Sequence, residues 1–250
     1  MEVCTESRGA ARFFRALLAA VACALLIIGL LIASIEMFAV NTAFFESEYA
    51  KLGTAADIGI SEEGLAQVTR KLLNYTTGKE NSLDMQANIQ GETQEVFGGR
   101  EKAHMVDVKA LYLSARSVRA GSLIGAAVLA IAAFVIGRKR TLKTLCKSFL
   151  WVSGGFLLVV GAITAYAAID FQDFWTSFHH VFFAGNDLWQ LDLRTDVLIQ
   201  MVPLQFFSDL VARIIIRFAS IFLTLNIAAE AGLHVIRKRE RGMKTAAQGA

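Results

Sequence analysis

Four apolar runs divide this chain, each closed at both ends by charge. They cover residues 16–35, between Arg15 and Glu36; 120–137, between Arg119 and Arg138; 148–169, between Lys147 and Asp170; and 210–229, between Asp209 and Glu230. Each is about 18–22 residues long, which as helix crosses a hydrocarbon core of about 30 Å. The first three carry no charge, whereas the fourth holds Arg213 and Arg217. The pattern predicts an all-α membrane protein with four transmembrane helices. The first run has a competing reading, because Ala20-Val21-Ala22-Cys23 resembles a lipoprotein cleavage box. The run continues past Cys23, however, and exceeds the core of about 7–15 residues that a signal peptide uses. It is read as a retained span.

The polar intervals have their own pattern. Residues 41–117 are too long for a loop and too short for a self-sufficient core, which predicts a helical cap docked on the membrane. Ser61 as N-cap, Ile60 and Leu65 as a hydrophobic staple, and the stripe Leu65, Val68, Leu72, Tyr75 predict a helix at 62–75 that Gly78 ends. Glu62 and Glu63 complement its positive end. Residues 77–93 are polar and are expected to be irregular. After Gly98-Gly99 a second helix should start near Glu101 and feed the second span.

Composition and charge orient this frame. The chain is 55% hydrophobic, above the roughly 45–50% of soluble domains. Basic residues collect in the head (Arg8, Arg12, Arg15), in the 138–147 connection (Arg138, Lys139, Arg140, Lys143, Lys147) and in the tail (Arg237, Lys238, Arg239, Arg241, Lys244). Basic residues favour the cytoplasmic side, so both termini are expected there, with 41–117 and 170–209 outside. The segments are then a head and first span (1–40), an extracytoplasmic cap (41–117), the second and third spans with a basic loop (118–169), an aromatic-rich outer segment (170–209), and the fourth span with a basic tail (210–250). The net charge of +3 sums a basic inner face and an acidic outer one and gives no reason to expect nucleic acid. Cys4, Cys23 and Cys146 all fall outside the outer segments, so neither a disulfide framework nor zinc spacing is expected.

Histidine supplies the candidate chemistry, since it exchanges protons near neutral pH. His104 lies in Glu101-Lys102-Ala103-His104-Met105-Val106-Asp107-Val108-Lys109, where Glu101, His104 and Asp107 share a helix face at i, i+3 spacing. A carboxylate beside a histidine fixes its tautomer; the same spacing also suits a solvated polar face, or an HxxD metal ligand pair. The second stretch is Phe178-His179-His180-Val181-Phe182-Phe183, continued by Asn186, Trp189, Asp192, Thr195 and Asp196. Phe171, Phe174 and Trp175 precede it, and Phe206 or Phe207 joins if the loop folds back. At helical spacing Trp175, His179 and Phe183 share a face, Phe178 and Phe182 the next, and His180 points elsewhere. An interfacial aromatic belt explains the rings but not the adjacent histidines.

Sixteen residues of straight helix, about 24 Å, separate His104 from the second span, while His179 lies about ten residues beyond the third. For the two to meet, a helix break is predicted within 110–117. Asp209, Arg213 and Arg217 form an i, i+4, i+8 row. The arginines either snorkel to headgroups or, with Glu36 at similar depth, grip polar atoms of a substrate. His234 is read as structural.

These motifs resemble the lipoprotein intramolecular transacylase (Lit) family of four-span bacterial membrane proteins. The resemblance runs from Phe45 to about Phe207, through Tyr49-Ala50-Lys51-Leu52-Gly53, Gly59-Ile60-Ser61, Leu73-Asn74-Tyr75, the His104-Met105-Val106-Asp107-Val108-Lys109 core, and Phe178-His179 onward to Pro203. It implies transfer of the sn-2 acyl chain of a diacylglyceryl lipoprotein to the α-amino group of its N-terminal cysteine, at the outer face of the cell membrane. It places the two catalytic histidines on His104 and His179, the latter preferred over His180 because it keeps the Phe-His-x-x-Phe-Phe register. Glu101, Asp107, Asp192 and Asp196 are the expected orienting groups. Trp175, Phe178, Phe182, Phe183, Asn186, Trp189, Arg213 and Arg217 are the expected substrate contacts. No cofactor or metal is implied; diacylglyceryl lipoproteins and membrane lipids are the implied partners. Two positions depart from the family pattern, Leu193 where a proline is usual and Leu204 where a glutamate is usual. If that glutamate orients a histidine, Asp192, Asp196 or Asp209 must serve here. The rival classes are a non-enzymatic lipid- or protein-binding membrane protein and a metal-dependent lipid hydrolase.

Overall fold

A computed structural model describes residues 2–137 and 140–248. Arg138 and Lys139 of the basic connection, and the side chains of Cys4 and Arg8, lie outside what it describes. The elements run α1 (Glu2–Ala39), α2 (Thr42–Leu52), α3 (Thr54–Ile58), α4 (Glu62–Thr76), β1 (Gln86–Ile89), β2 (Glu92–Glu95), α5 (Gly99–Gly137), α6 (Thr141–Ile169), α7 (Phe171–Phe182), α8 (Val197–Met201) and α9 (Leu204–Gln248). Four helices, α1, α5, α6 and α9, are long and apolar enough to cross a membrane. Each outruns its apolar stretch, because nothing in the flanking charged sequence breaks a helix; the chain's one proline precedes α9.

The chain divides into two compact units. The span unit comprises residues up to Ala33, Val118–Thr164 and those from Ile216 on. Its core is small: Cys23, Ile27, Phe149, Phe218, Phe222 and Ala229. Most other apolar side chains face outward, Trp151 at 84% and Leu158 at 78% exposure, as expected of a surface solvated by lipid. Gly29 and Gly125 allow close packing, since a Cβ on Gly29 would lie 2.7 Å from Leu123 Cδ2 and one on Gly125 3.1 Å from Leu25 Cδ1. At the basic ends Lys143 pairs with Glu240 at 2.5 Å.

The second unit, Ser34–Ser117 with Ala165–Ile215, holds a continuous apolar core. Asn41 caps α2 by accepting from the Phe44 amide, and α2 ends at Gly53, whose φ of +73° is left-handed. Gly59 (φ +77°) ends α3, and a Cβ there would also strike Gln90 Cγ at 2.7 Å. Ser61 caps α4 as predicted, accepting from the Gly64 amide at 3.0 Å. Leu65, Val68, Leu72 and Tyr75 are all buried. Phe206, at 0% exposure, closes the core against Phe44, Phe45 and Tyr49, with centroids 4.8–6.0 Å away.

Two expectations are corrected. The 77–93 stretch is not wholly irregular, because β1 and β2 form an antiparallel hairpin in which Ile89 faces Glu92. Its two-residue turn, Gln90-Gly91, has φ of 56° and 88°, the type I′ geometry that matches strand twist. Ile89 and the following Val96 and Phe97 are buried, the Gln90 amide donates to the Gly59 carbonyl at 2.7 Å, and Lys102 bridges Asp84 and Glu95. A hairpin this polar takes its stability from those tertiary anchors and so left no alternating pattern to read. The break predicted within 110–117 is also absent: α5 is helical throughout.

Candidate active site

Each histidine sits on a helix whose start is capped by a carboxylate. At α5, Glu101 reaches back to accept the Gly98 amide at 2.5 Å, leaving its other oxygen to accept the Leu198 amide at 2.6 Å. One buried carboxylate thus caps two helices, α5 and α8. Burial pushes its pKa up, against the two amides that favour the charged form. Glu101 was expected to orient His104; its oxygens are instead committed to backbone amides. At α7, Asp170 caps by accepting the Asp173 amide at 2.9 Å.

The two helices bring the histidines together. The His104 and His179 rings lie 6.1 Å apart between centroids, and both side chains are buried, whereas His180 and His234 are exposed. His179 Nδ1 lies 2.7 Å from the Trp175 carbonyl. A carbonyl only accepts, so Nδ1 carries the proton and Nε2 is left with its lone pair. Burial drives the pKa of His179 down, with His180 adding to this and the Trp175 carbonyl opposing it. His104 is pushed down to about 4, chiefly by burial and then by His179, with Asp107 opposing. Both rings are therefore neutral near pH 7. His104 Nδ1 is buried and makes no hydrogen bond among the described residues.

Aromatic rings surround the pair. Phe183 sits 5.2 Å from His104 and 5.6 Å from His179; Trp189 stacks on His179 at 4.8 Å and meets His180 edge-on at 5.3 Å. Trp175 lies edge-on to His179 at 5.1 Å and continues a stack through Phe178 (4.9 Å) and on to Phe182, which is half exposed. The loop does fold back as anticipated: Phe207 stacks on Trp175 at 4.2 Å. Asn186 donates to Asp107 at 2.9 Å, and Arg100 binds Asp187 through both its carbonyl and its carboxylate. These two contacts latch the loop after α7 onto α5 and bring the two sequence motifs into one site.

Several predicted residues fall elsewhere. Asp192 binds Arg194, which holds its pKa down at about 2, and Asp196 accepts the Asp192 amide at 2.8 Å. Asp209 bonds Lys51 at 2.5 Å and Gln205. None of the three orients a histidine; the Trp175 carbonyl performs that service for His179, so the Leu204 departure leaves this ring still held. Arg213 lies 3.7 Å from Glu48 and over the Phe44 ring. Arg217 is exposed and belongs to the span unit. Lys109 is structural, donating to the Glu80 carbonyl and lying over Tyr75. The group missed outright is Glu48, 1% exposed between Lys51 and Arg213. Its position on the apolar Phe44, Phe45, Leu52 side of α2 was the signal available. Among the described residues no group of three metal-ligating side chains forms.

Four helices long and apolar enough to cross a membrane, together with a buried histidine pair in an aromatic setting, point to an integral membrane enzyme. A sequence model of the lipoprotein intramolecular transacylase Lit family matches residues 20–207. The chain belongs to that family and is an acyltransferase. An in meso structure of Lit from Bacillus cereus superposes with a TM-score of 0.68 at 18% identity, covering 93% of this chain and 98% of that one. Two variants of the same protein, with a histidine replaced by arginine or by alanine, give 0.66 at 17% identity and 0.67 at 15%. They cover 97% and 95% of this chain, and 98% and 100% of their own. No curated protein matches the sequence.

Proposed function

We propose that the enzyme moves the sn-2 acyl chain of a diacylglyceryl lipoprotein onto the α-amino group of its own N-terminal cysteine, giving the lyso form. The observation that carries this reading is the neutral pair His104 and His179, with His179 Nδ1 committed to the Trp175 carbonyl. A base must enter uncharged, and burial keeps both rings so.

The nucleophile is the substrate's amine, whose pKa near 7.7–8.0 leaves a sizeable fraction neutral. It attacks the ester carbonyl through a ring of roughly eight atoms, a conformer that positioning can favour by several kcal/mol. The Trp175, Phe178, Phe182, Phe183 and Trp189 rings fold the lipid for that attack. His179 Nε2 takes the amine proton as the C–N bond forms. The tetrahedral centre then collapses, the C–O bond to the glyceryl carbon's oxygen breaks, and the proton held on His179 passes to His104, which releases one to that oxygen, so both rings end neutral. The pair holds one extra proton only during turnover: it arrives from the amine and leaves on the glyceryl hydroxyl. Asn186 has one amide hydrogen beyond that given to Asp107 and can serve the oxyanion. The basic clusters support cytoplasmic termini, which puts this site on the extracytoplasmic face of a bacterial cell membrane.

The test is mass spectrometry of the N-terminal lipopeptide of a reporter lipoprotein in cells lacking other N-acylating enzymes. An N-acyl, S-monoacylglyceryl cysteine that requires both His104 and His179 is expected. Unchanged diacylglyceryl cysteine with well-expressed protein would overturn the reading and favour a lipid-binding role.

A further inference from the structure

The span unit contains an apolar hollow whose lining includes none of the residues around His104 and His179. Its volume is about 390 Å³, and all four membrane-crossing helices line it: Ala22 and Cys23 from α1, Ala126 and Ala130 from α5, Phe149 from α6 and Ala229 from α9. Alanine dominates where the helices would otherwise interlock, so the space results from side-chain choice. Apolar cavities of about 150 Å³ already admit benzene, so this partly open recess has room for an acyl chain. Water does not suit it, since the lining offers almost nothing to bond; the Cys23 thiol already faces the Leu145 carbonyl. A flexible hydrocarbon chain, abundant around this unit, does.

A second observation gives the occupant a head. Arg15, Ala19, Ala22 and Leu26 recur at i, i+4, i+7 and i+11 on α1 and therefore share one face. Arg15 thus stands two turns, about 11 Å, from the hollow on the face that lines it. Its guanidinium is pinned against the end of α5, where a Cβ on Gly137 would collide with Arg15 Cδ. Its Nε is buried and makes no hydrogen bond among the described residues. Arg12 lies one turn further along. An unmatched guanidinium donor, with a second cation one turn away on a helix face that leads to an apolar recess, fits a phosphate diester attached to an acyl chain.

We infer that the span unit binds one anionic phospholipid, with an acyl chain in the hollow and its phosphate on Arg15. This lipid is a resident of the leaflet that meets the basic ends of the helices, not the lipoprotein being processed. The inference stands apart from the acyl-transfer reading, because its readout is lipid retention.

The experiment places the delipidated full chain in nanodiscs of phosphatidylglycerol and phosphatidylcholine, then identifies by native mass spectrometry the lipid kept on detergent release. The wild type should keep one phosphatidylglycerol per chain. Ala126→Phe, which fills the hollow, should lower retention about tenfold. Arg15→Gln should still keep a lipid but lose about tenfold in preference for phosphatidylglycerol over phosphatidylcholine. Because Ala126→Phe can disturb packing, a phosphatidylglycerol carrying a mid-chain diazirine is also photolysed with the wild type. Crosslinks at residues 22–26 and 123–130 are expected. Crosslinks spread evenly over the outward surfaces of the spans, or equal retention of the two lipids by the wild type, would overturn the proposal.

Discussion

The two units of this protein use similar apolar side chains to opposite ends. The span unit exposes most of its own, and no more than 28% of the most apolar stretch of any crossing helix is buried. Lipid is as apolar as leucine, so its helices gain little by hiding such residues from it, and packing there rests on small residues and shape. The site unit instead closes a core from Phe44 to Ile214 and ties its edges with caps, a hairpin and ion pairs. The contrast shows where precision is needed. Anchoring tolerates hollows and outward side chains, but holding two imidazoles at a fixed distance requires dense packing and satisfied polar groups.

The hardest blow to this comparison would be a histidine variant that kept its activity. His179→Ala and His104→Ala should each lower transacylation by a factor of about 10²–10⁴ while hydrogen exchange throughout the site unit stays near wild type. Retained activity in either would reduce that histidine to a packing residue. Next in size is Glu101→Ala, which leaves the Gly98 and Leu198 amides without their acceptor. At about 1–3 kcal/mol for an unsatisfied buried group, exchange should quicken in residues 98–104 and 197–201 and leave the spans unchanged. Faster exchange in α6 as well would mean that the two units open as one.

Acid should also separate the units. In the folded chain His104 titrates at about 4, below the unfolded value of about 6.5. Between those values the unfolded chain binds more protons, so the site unit loses stability as pH falls through that window. Activity should behave differently, because His104 stays neutral into that range. The decline should begin below pH 8 with unit slope, set by the substrate amine, and break again only below 6.5, as the histidines gain protons. A single break at 6.5 in the pH–rate profile would contradict the burial argument. The smallest effects contrast a cap with a lipid-facing side chain. Ser61→Ala should cost about 1 kcal/mol in chemical unfolding of the site unit, whereas Leu158→Ala, facing outward, should leave detergent thermostability unchanged.

Much of this organisation could be read along the chain. The four apolar runs identify the crossing helices because the length of a hydrocarbon core is a one-dimensional constraint. Ser61 with the stripe Leu65, Val68, Leu72 and Tyr75 marks α4 because capping and helical periodicity are local. The resemblance carried by the His104 and His179 motifs pointed to the pair that the fold brings together. Charge patterns were less reliable guides. Glu101, Asp107 and His104 share a helix face, yet Glu101 turns to the Gly98 and Leu198 amides and Asp107 to Asn186; a carboxylate's partner depends on what packs opposite it. Arg213 meets Glu48 for the same reason.

The sequence by itself determined the spans and the local helix starts, since each depends on neighbours within a few turns. Only the tertiary structure decided how the candidate site is assembled. Across 75 positions of chain it sets the rings 6.1 Å apart, and it commits His179 Nδ1 to a backbone carbonyl in place of an acid. It also anchors a polar hairpin and leaves a hollow among alanines. Those outcomes depend on the sum of many weak contacts between distant segments, and no local pattern encodes such a sum.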